Sequence, residues 1–159
     1  VVDIGCGGGA TTRQIAARVK PTGFALGVDI APMLVAEAGR RSALAGEVNA
    51  RFVTADAATV QLLEAPFDRL HSRFGSMFFA EPAKAFRNLS KMLRSGGRAD
   101  FAVWASAKDS PWVSELMGVL KRHVDLPKPQ PHAPTILAGC CAMPVSRTSI
   151  SISGAARSG

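Results

Sequence analysis

The segment Val1-Val2-Asp3-Ile4-Gly5-Cys6-Gly7-Gly8-Gly9-Ala10 runs from an extended apolar stretch straight into a glycine cluster, and it limits the fold more than any other part of the chain. Glycine is needed at such a turn because the backbone bends sharply and comes close to a ligand with no Cβ in the way. A glycine loop that ends a strand and opens a helix is the geometry of a nucleotide site. The rest of the chain should then repeat the strand-helix unit, and it does. Apolar runs at Val1 to Ile4, Phe24 to Ile30, Phe52 to Ala55, Phe67 to Phe74 and Phe101 to Ala105 read as strands. Helical patterns lie between them, from about Thr12 to Lys20, from Pro32 to near Gly46, and in a short piece from Ala57 to Leu63. A fourth has the apolar stripe Ala85, Phe86, Leu89, Met92 and Leu93, ended by Gly96-Gly97. A fifth follows Ser110-Pro111, with Trp112, Leu116, Leu120 and Val124 inward. Strands separated by helices imply right-handed crossovers, so the expected fold class is α/β, a doubly wound, mostly parallel sheet. Ligands of such sheets bind beyond the carboxyl ends of the strands.

A chain of 159 residues holds one domain, and 47% hydrophobic with 19% charged residues is a globular composition. The core is expected over residues 1–125. Residues 126–159 read as a tail, first rich in proline and then in serine, alanine and glycine, with no acidic residue after Asp125. Within it, Thr148 to Ser153 alternates polar residues with isoleucine, the pattern of a short edge strand. The abrupt loss of pattern near Pro134 suggests a shift of reading frame. No apolar run approaches the ~20 residues of a membrane helix, and the first residues lack the regions of a signal peptide, so a cytoplasmic protein without a membrane partner is expected. Cys6, Cys140 and Cys141 have neither zinc nor disulfide spacing, so no metal is expected. The net charge of +7 would attract a polyanion, but the basic residues are scattered. Lys84, Arg87, Lys91 and Arg94 have the spacing of a solvated helix face, which argues against a nucleic-acid partner.

The chemistry should sit at strand ends. Gly5-x-Gly7-x-x-Ala10 fits the dinucleotide fingerprint, so alone it does not separate a nicotinamide cofactor from S-adenosylmethionine. Asp29 lies about 20 residues past the loop, where a carboxylate accepts ribose hydroxyls in either case. Asp56, followed by Ala57 after the third strand, places another acid on the same rim, suited to an adenine amino group. Asp3, just before the loop, would repel a pyrophosphate and favour an ammonium and sulfonium. The acids therefore prefer the cationic cofactor.

With these blocks in order, together with Phe67-Asp68-Arg69-Leu70-His71-Ser72-Arg73-Phe74-Gly75-Ser76-Met77-Phe78-Phe79 and Leu93-Arg94-Ser95-Gly96-Gly97-Arg98, the sequence resembles the class I S-adenosylmethionine-dependent methyltransferases from Val1 to about Trp112. The likeness is to their small-molecule, type 11/25-like branch. It implies that Gly5, Cys6 and Gly7 contact the methionine part, that Asp29 binds ribose with Ile30 against adenine, and that Asp56 and Ala57 meet the adenine edge. It also implies that Ser72 lies near the site of methyl transfer, to an oxygen, nitrogen or carbon of a small molecule. Cys6 should contribute backbone rather than thiol chemistry, Asp3 is the further cofactor candidate, and Met77, Phe78, Phe79 and Trp104 should be core or pocket wall. No base is obligatory, because the sulfonium is already a strong leaving group; His71 is a candidate if the acceptor needs deprotonation. The alternatives are an NAD(P)-binding oxidoreductase, an RNA methyltransferase, and an inactive cofactor-binding fragment. The family has a capping segment before the first strand and two further strands at the far end, so the chain reads as a fragment that starts inside strand one. Asp100 falls in a strand the family keeps apolar and needs a partner there.

Overall fold

The computed structural model describes residues 1–104, 111–124 and 148–150. The chain forms two compact units, Val1–Val103 with Arg147–Gly159, and Trp104–Ser146.

The first unit is built on one sheet. Strands β1 (Val2–Ile4), β2 (Ala25–Asp29), β3 (Ala50–Thr54), β4 (Phe67–Arg73), β5 (Leu93–Ala102) and β6 (Thr148–Ile150) lie in the order β3-β2-β1-β4-β5-β6. The first five pair in parallel and β6 joins β5 antiparallel, Asp100 opposite Ser149. The sheet is thus doubly wound and mostly parallel, as the alternation of patterns requires. The order reverses beside β1, where a doubly wound sheet opens a crevice at its carboxyl edge. Of the edge strand expected from Thr148, residues 148–150 form β6, and 151–153 lie outside the described residues.

Helices α1 (Ala10–Arg18), α2 (Pro32–Leu44) and α3 (Pro82–Lys91) connect these strands. Proline opens α2 and α3, where its missing N–H costs nothing. The core is the apolar side of the strands, Val2, Ile4, Leu26, Val28, Leu70 and Phe101, with Leu89 and Met92 at the end of α3. Phe79, Phe86 and Phe101 pack edge to face, with centroids 6.0 and 5.4 Å apart, which ties α3 to β5.

Three expected elements differ, among them the fifth strand, which starts at Leu93 and not at Phe101. The helix expected over Ala57 to Leu63 is a single turn, Val60 N–H to Asp56 O at 2.9 Å. Its backbone groups are taken elsewhere: Asp56 Oδ1 accepts from Ala58 N–H, and Asn88 Nδ2 donates to the carbonyls of Ala57 and Val60. The fourth expected helix stops at Lys91, before Gly96-Gly97. Met92 O accepts from Phe67 N–H at 2.7 Å and Leu93 pairs with Phe67, so the chain enters the sheet at once. The glycines then lie within β5, where the register shifts between Phe67 and Arg69 and Gly96 takes φ 72°. Arg94 accordingly leaves the expected helix face and pairs with Asp68.

In the second unit, helix α4 (Pro111–His123) forms where expected. Leu116 and Val124, expected inward, are 47% and 53% exposed. A helical period says which residues share a face, and it does not supply an element to cover that face.

Candidate functional site

Among the described residues one cleft carries most of the residues the sequence singled out, and another lies beside α1. The first lies at the carboxyl ends of β1 to β4 and measures about 590 Å3. Gly5, Asp29, Ile30, Asp56 and Ala57 line it, as expected, together with Ala58, Thr59, Phe74, Gly75 and Phe79. Phe78 forms part of the wall and is 82% exposed; Ile30 is 71% exposed.

The glycine loop closes by using its own amides. Gly5 and Cys6 N–H both donate to Val28 O, and Gly9 N–H donates to Cys6 O. Gly7 N–H donates to Asp29 Oδ2 at 2.7 Å, while Asp29 Oδ1 accepts from Ala31 N–H at 3.0 Å. Asp29 is thereby fixed between the loop and the start of α2, and each oxygen keeps a second lone pair. Gly7 has φ 52° with open space where a Cβ would be. Gly5, with φ 71°, has a different reason to be glycine: a Cβ there would stand 2.6 Å from Gly75 Cα. The two glycines pack back to back and bring the ends of β1 and β4 together.

Four of the expected cofactor residues do not line this cleft. Asp3 is 1% exposed and accepts a hydrogen bond from the Thr12 hydroxyl at 2.7 Å. Burial pushes its carboxyl above the usual carboxylate range, against the lowering pull of Thr12, His71 and Arg73. It braces β1 against α1. Cys6 is buried and its thiol is pushed up to about 12 by burial and then by Asp3 and Asp29, so it stays a neutral loop residue. Gly7 reaches the site through Asp29. Ser72 is fully buried; its hydroxyl donates to Ile4 O at 2.8 Å and accepts from Ser76 N–H at 3.1 Å, joining the ends of the two central strands. His71 lies elsewhere altogether. Adjacent residues of a strand face opposite sides, so His71 turns away from Ser72 and lines the second cleft, beside α1.

Residues 1–97 match the methyltransferase domain family. The chain belongs to that family. This methyltransferase domain is 32% identical over 101 residues to aklanonic acid methyltransferase of Streptomyces sp. strain C5, covering 64% of this chain and 46% of the relative. It is 34% identical over 98 residues to demethylmenaquinone methyltransferase of Thermus thermophilus, covering 62% and 44%. The chain spans less than half the length of these curated relatives. Among solved structures, a SAM dependent methyltransferase of Aquifex aeolicus superposes with a TM-score of 0.63 at 17% identity, over 76% of this chain and 69% of the other, a likeness of fold.

The domain also uses residues that sequence reasoning did not assign. Asn88 holds the loop of Ala57 in place from α3, Gly75 makes room for Gly5, and Arg73 and Lys84 bring positive charge to the rim. A polar residue in the buried half of an otherwise apolar helix stripe was the available signal for Asn88. Gly75, at the end of a strand, was the signal for a second close approach. Among the described residues no group of His, Cys, Asp and Glu could hold a metal ion, and no helix is long and apolar enough to cross a membrane.

Proposed function

We propose that the cleft at the carboxyl edge holds S-adenosylmethionine, and that this domain is the cofactor-binding core of an enzyme that methylates an oxygen, nitrogen or carbon of a small molecule. The observation that carries the reading is the spending of the loop amides. A pyrophosphate needs free N–H groups at the glycine loop, and four of these, of Gly5, Cys6, Gly7 and Gly9, are committed to protein acceptors, one of them a carboxylate, which leaves fewer for a phosphate. Asp29 and Asp56 stand at the ends of β2 and β3 as negative charge, with Arg73 and Lys84 towards β4 and α3, so the β2–β3 side of the cleft suits a cationic or hydroxyl-bearing ligand better than a phosphate.

The residues present fit that ligand. Asp29 is held by two backbone amides with lone pairs left for ribose hydroxyls, Ile30 offers an exposed apolar surface to a purine, and Asp56 with Ala57 stands where an adenine edge would be read. The open side of Gly7 leaves room for the methionine part. When bound, the cofactor supplies a methyl group on a sulfonium. The chain's own work is to bind, orient and shield, since positioning in line with an activated methyl accounts for most of such catalysis. His71, on the other side of the sheet, is not assigned as a base. A small-molecule acceptor is supported by the two curated relatives, whose names carry one each. A cytoplasmic location belongs to the same reading, supported by a cysteine pattern without a disulfide framework.

Calorimetric titration separates the readings. S-adenosylhomocysteine should bind with a micromolar-range constant, and NAD should give no heat. Binding of NAD in preference to S-adenosylhomocysteine would overturn the proposal in favour of a dehydrogenase-like domain.

A further inference from the structure

The second cleft, of about 740 Å3, lies between α1 and the face of β4 and β5 that α3 does not cover. Strands of a parallel sheet are usually apolar on both faces. Here one face is charged. Arg69, His71 and Arg73 alternate along β4, and Arg98 and Asp100 along β5, with Arg18 from the last turn of α1 completing the wall. The register sets Arg69 directly beside Arg98 and His71 beside Asp100. Neighbouring parallel strands are about 4.8 Å apart, so the two guanidinium stems start side by side, an arrangement that costs energy unless an anion lies between them.

Asp100 stands 3.6 Å from Arg69, and Arg18, Arg73 and Arg98 form no ion pair among the described residues. Four arginines thus line a concave space with Asp100, and the buried Asp3 lies near Arg73 and His71. His71 lies in the same wall, between the two arginines of β4, with its Nε2 buried and without a hydrogen-bond partner. The volume falls within the roughly 300–1,000 Å3 of small-molecule sites. The charge is also local. Arg87 and Lys91 are exposed on α3, across the sheet, so among the described residues no continuous basic stripe suited to a nucleic-acid backbone joins the two sides.

We infer that this cleft is a second ligand site, which takes a small molecule through a phosphate group held by Arg69 and Arg98, beside His71 in the cleft wall. Guanidinium groups match phosphate oxygens in pairs, which explains why arginine rather than lysine occupies every basic position of the cleft. The site is separate from the cofactor cleft, sharing only Arg73 with it, and does not depend on the reading of that cleft.

Inorganic phosphate is the probe. Titrated into the full chain at constant ionic strength, it should move the ring resonances of His71 with saturation. Arg98→Gln should weaken that binding at least about tenfold, whereas Lys91→Gln, with the same loss of charge on the far side of the sheet, should change it less than about twofold. Both positions are exposed, so folding is retained, and equal affinity of the two variants for S-adenosylhomocysteine checks this. Equal weakening by the two substitutions, or an unmoved His71, would overturn the site and leave general charge attraction in its place.

Discussion

The two faces of β4 and β5 are made by alternate residues of the same two strands, yet they do opposite things. On the α3 side, Leu70, Ser72, Ala99 and Phe101 are buried. On the α1 side, Arg69, Arg73 and Arg98 are exposed. One face supplies burial and fixes the strand ends that form the cleft proposed for the cofactor. The other contributes little burial and holds charge. The difference teaches that stability and ligand chemistry can be separated within one strand, because the pleat sends successive side chains to opposite sides.

The contrast breaks most visibly by truncation on the closed face. Leu70 is fully buried, so Leu70→Ala should cost about 2–5 kcal/mol, read as a lower midpoint in urea unfolding. Ser72→Ala comes next, at about 1–3 kcal/mol, because it removes the acceptor of Ser76 N–H and the donor to Ile4 O in a buried position. An effect as small as that of an exposed substitution would mean that the strand ends are held by other contacts.

Asp3 sharpens the comparison through pH. Desolvation holds its folded-state pKa above the ordinary value of 3.8. The folded chain keeps this proton where the unfolded chain has lost it, so the contribution is full below the unfolded value and is lost as pH rises through the raised one. Asp3→Asn, which keeps an acceptor for Thr12, should flatten that decline in unfolding free energy between the ordinary and the raised pKa. A variant whose stability follows the parent's over that range would contradict the buried-acid account.

Asn88→Ala should have a smaller effect on stability, about 1 kcal/mol, by releasing the Ala57 and Val60 carbonyls. Its more specific mark should be a several-fold loss of S-adenosylhomocysteine affinity, measured by calorimetry. Arg98→Gln, on the open face, should shift stability by no more than about 0.5 kcal/mol.

Much of the cofactor cleft was legible because its chemistry needs particular residue types at strand ends. Asp29 and Asp56 follow apolar runs, and Gly5 stands where the backbone must turn, so type and position together placed them at the cleft. What failed to be legible depended on register and on distant partners. Asp3 and Ser72 sit beside the site in sequence and beneath it in space, because each spends its side chain on a neighbouring element. The charged face of β5 was hidden because the strand was expected only from Phe101. The structure starts it at Leu93, with a bulge that turns Arg98 and Asp100 to the α1 side. Asp100, an anomaly for an apolar strand, has its partner in Arg69.

The central claim is that the glycine loop and the rims of β2 and β3 form the cofactor cleft, apart from the charged face. Amide chemical-shift mapping of the full chain with S-adenosylhomocysteine tests it most directly. The account predicts large shifts at Gly7, Ile30, Ala57 and Ala58, with Arg98 and Asp100 unmoved. Shifts concentrated at Arg98 and Asp100, with the loop unchanged, would contradict it.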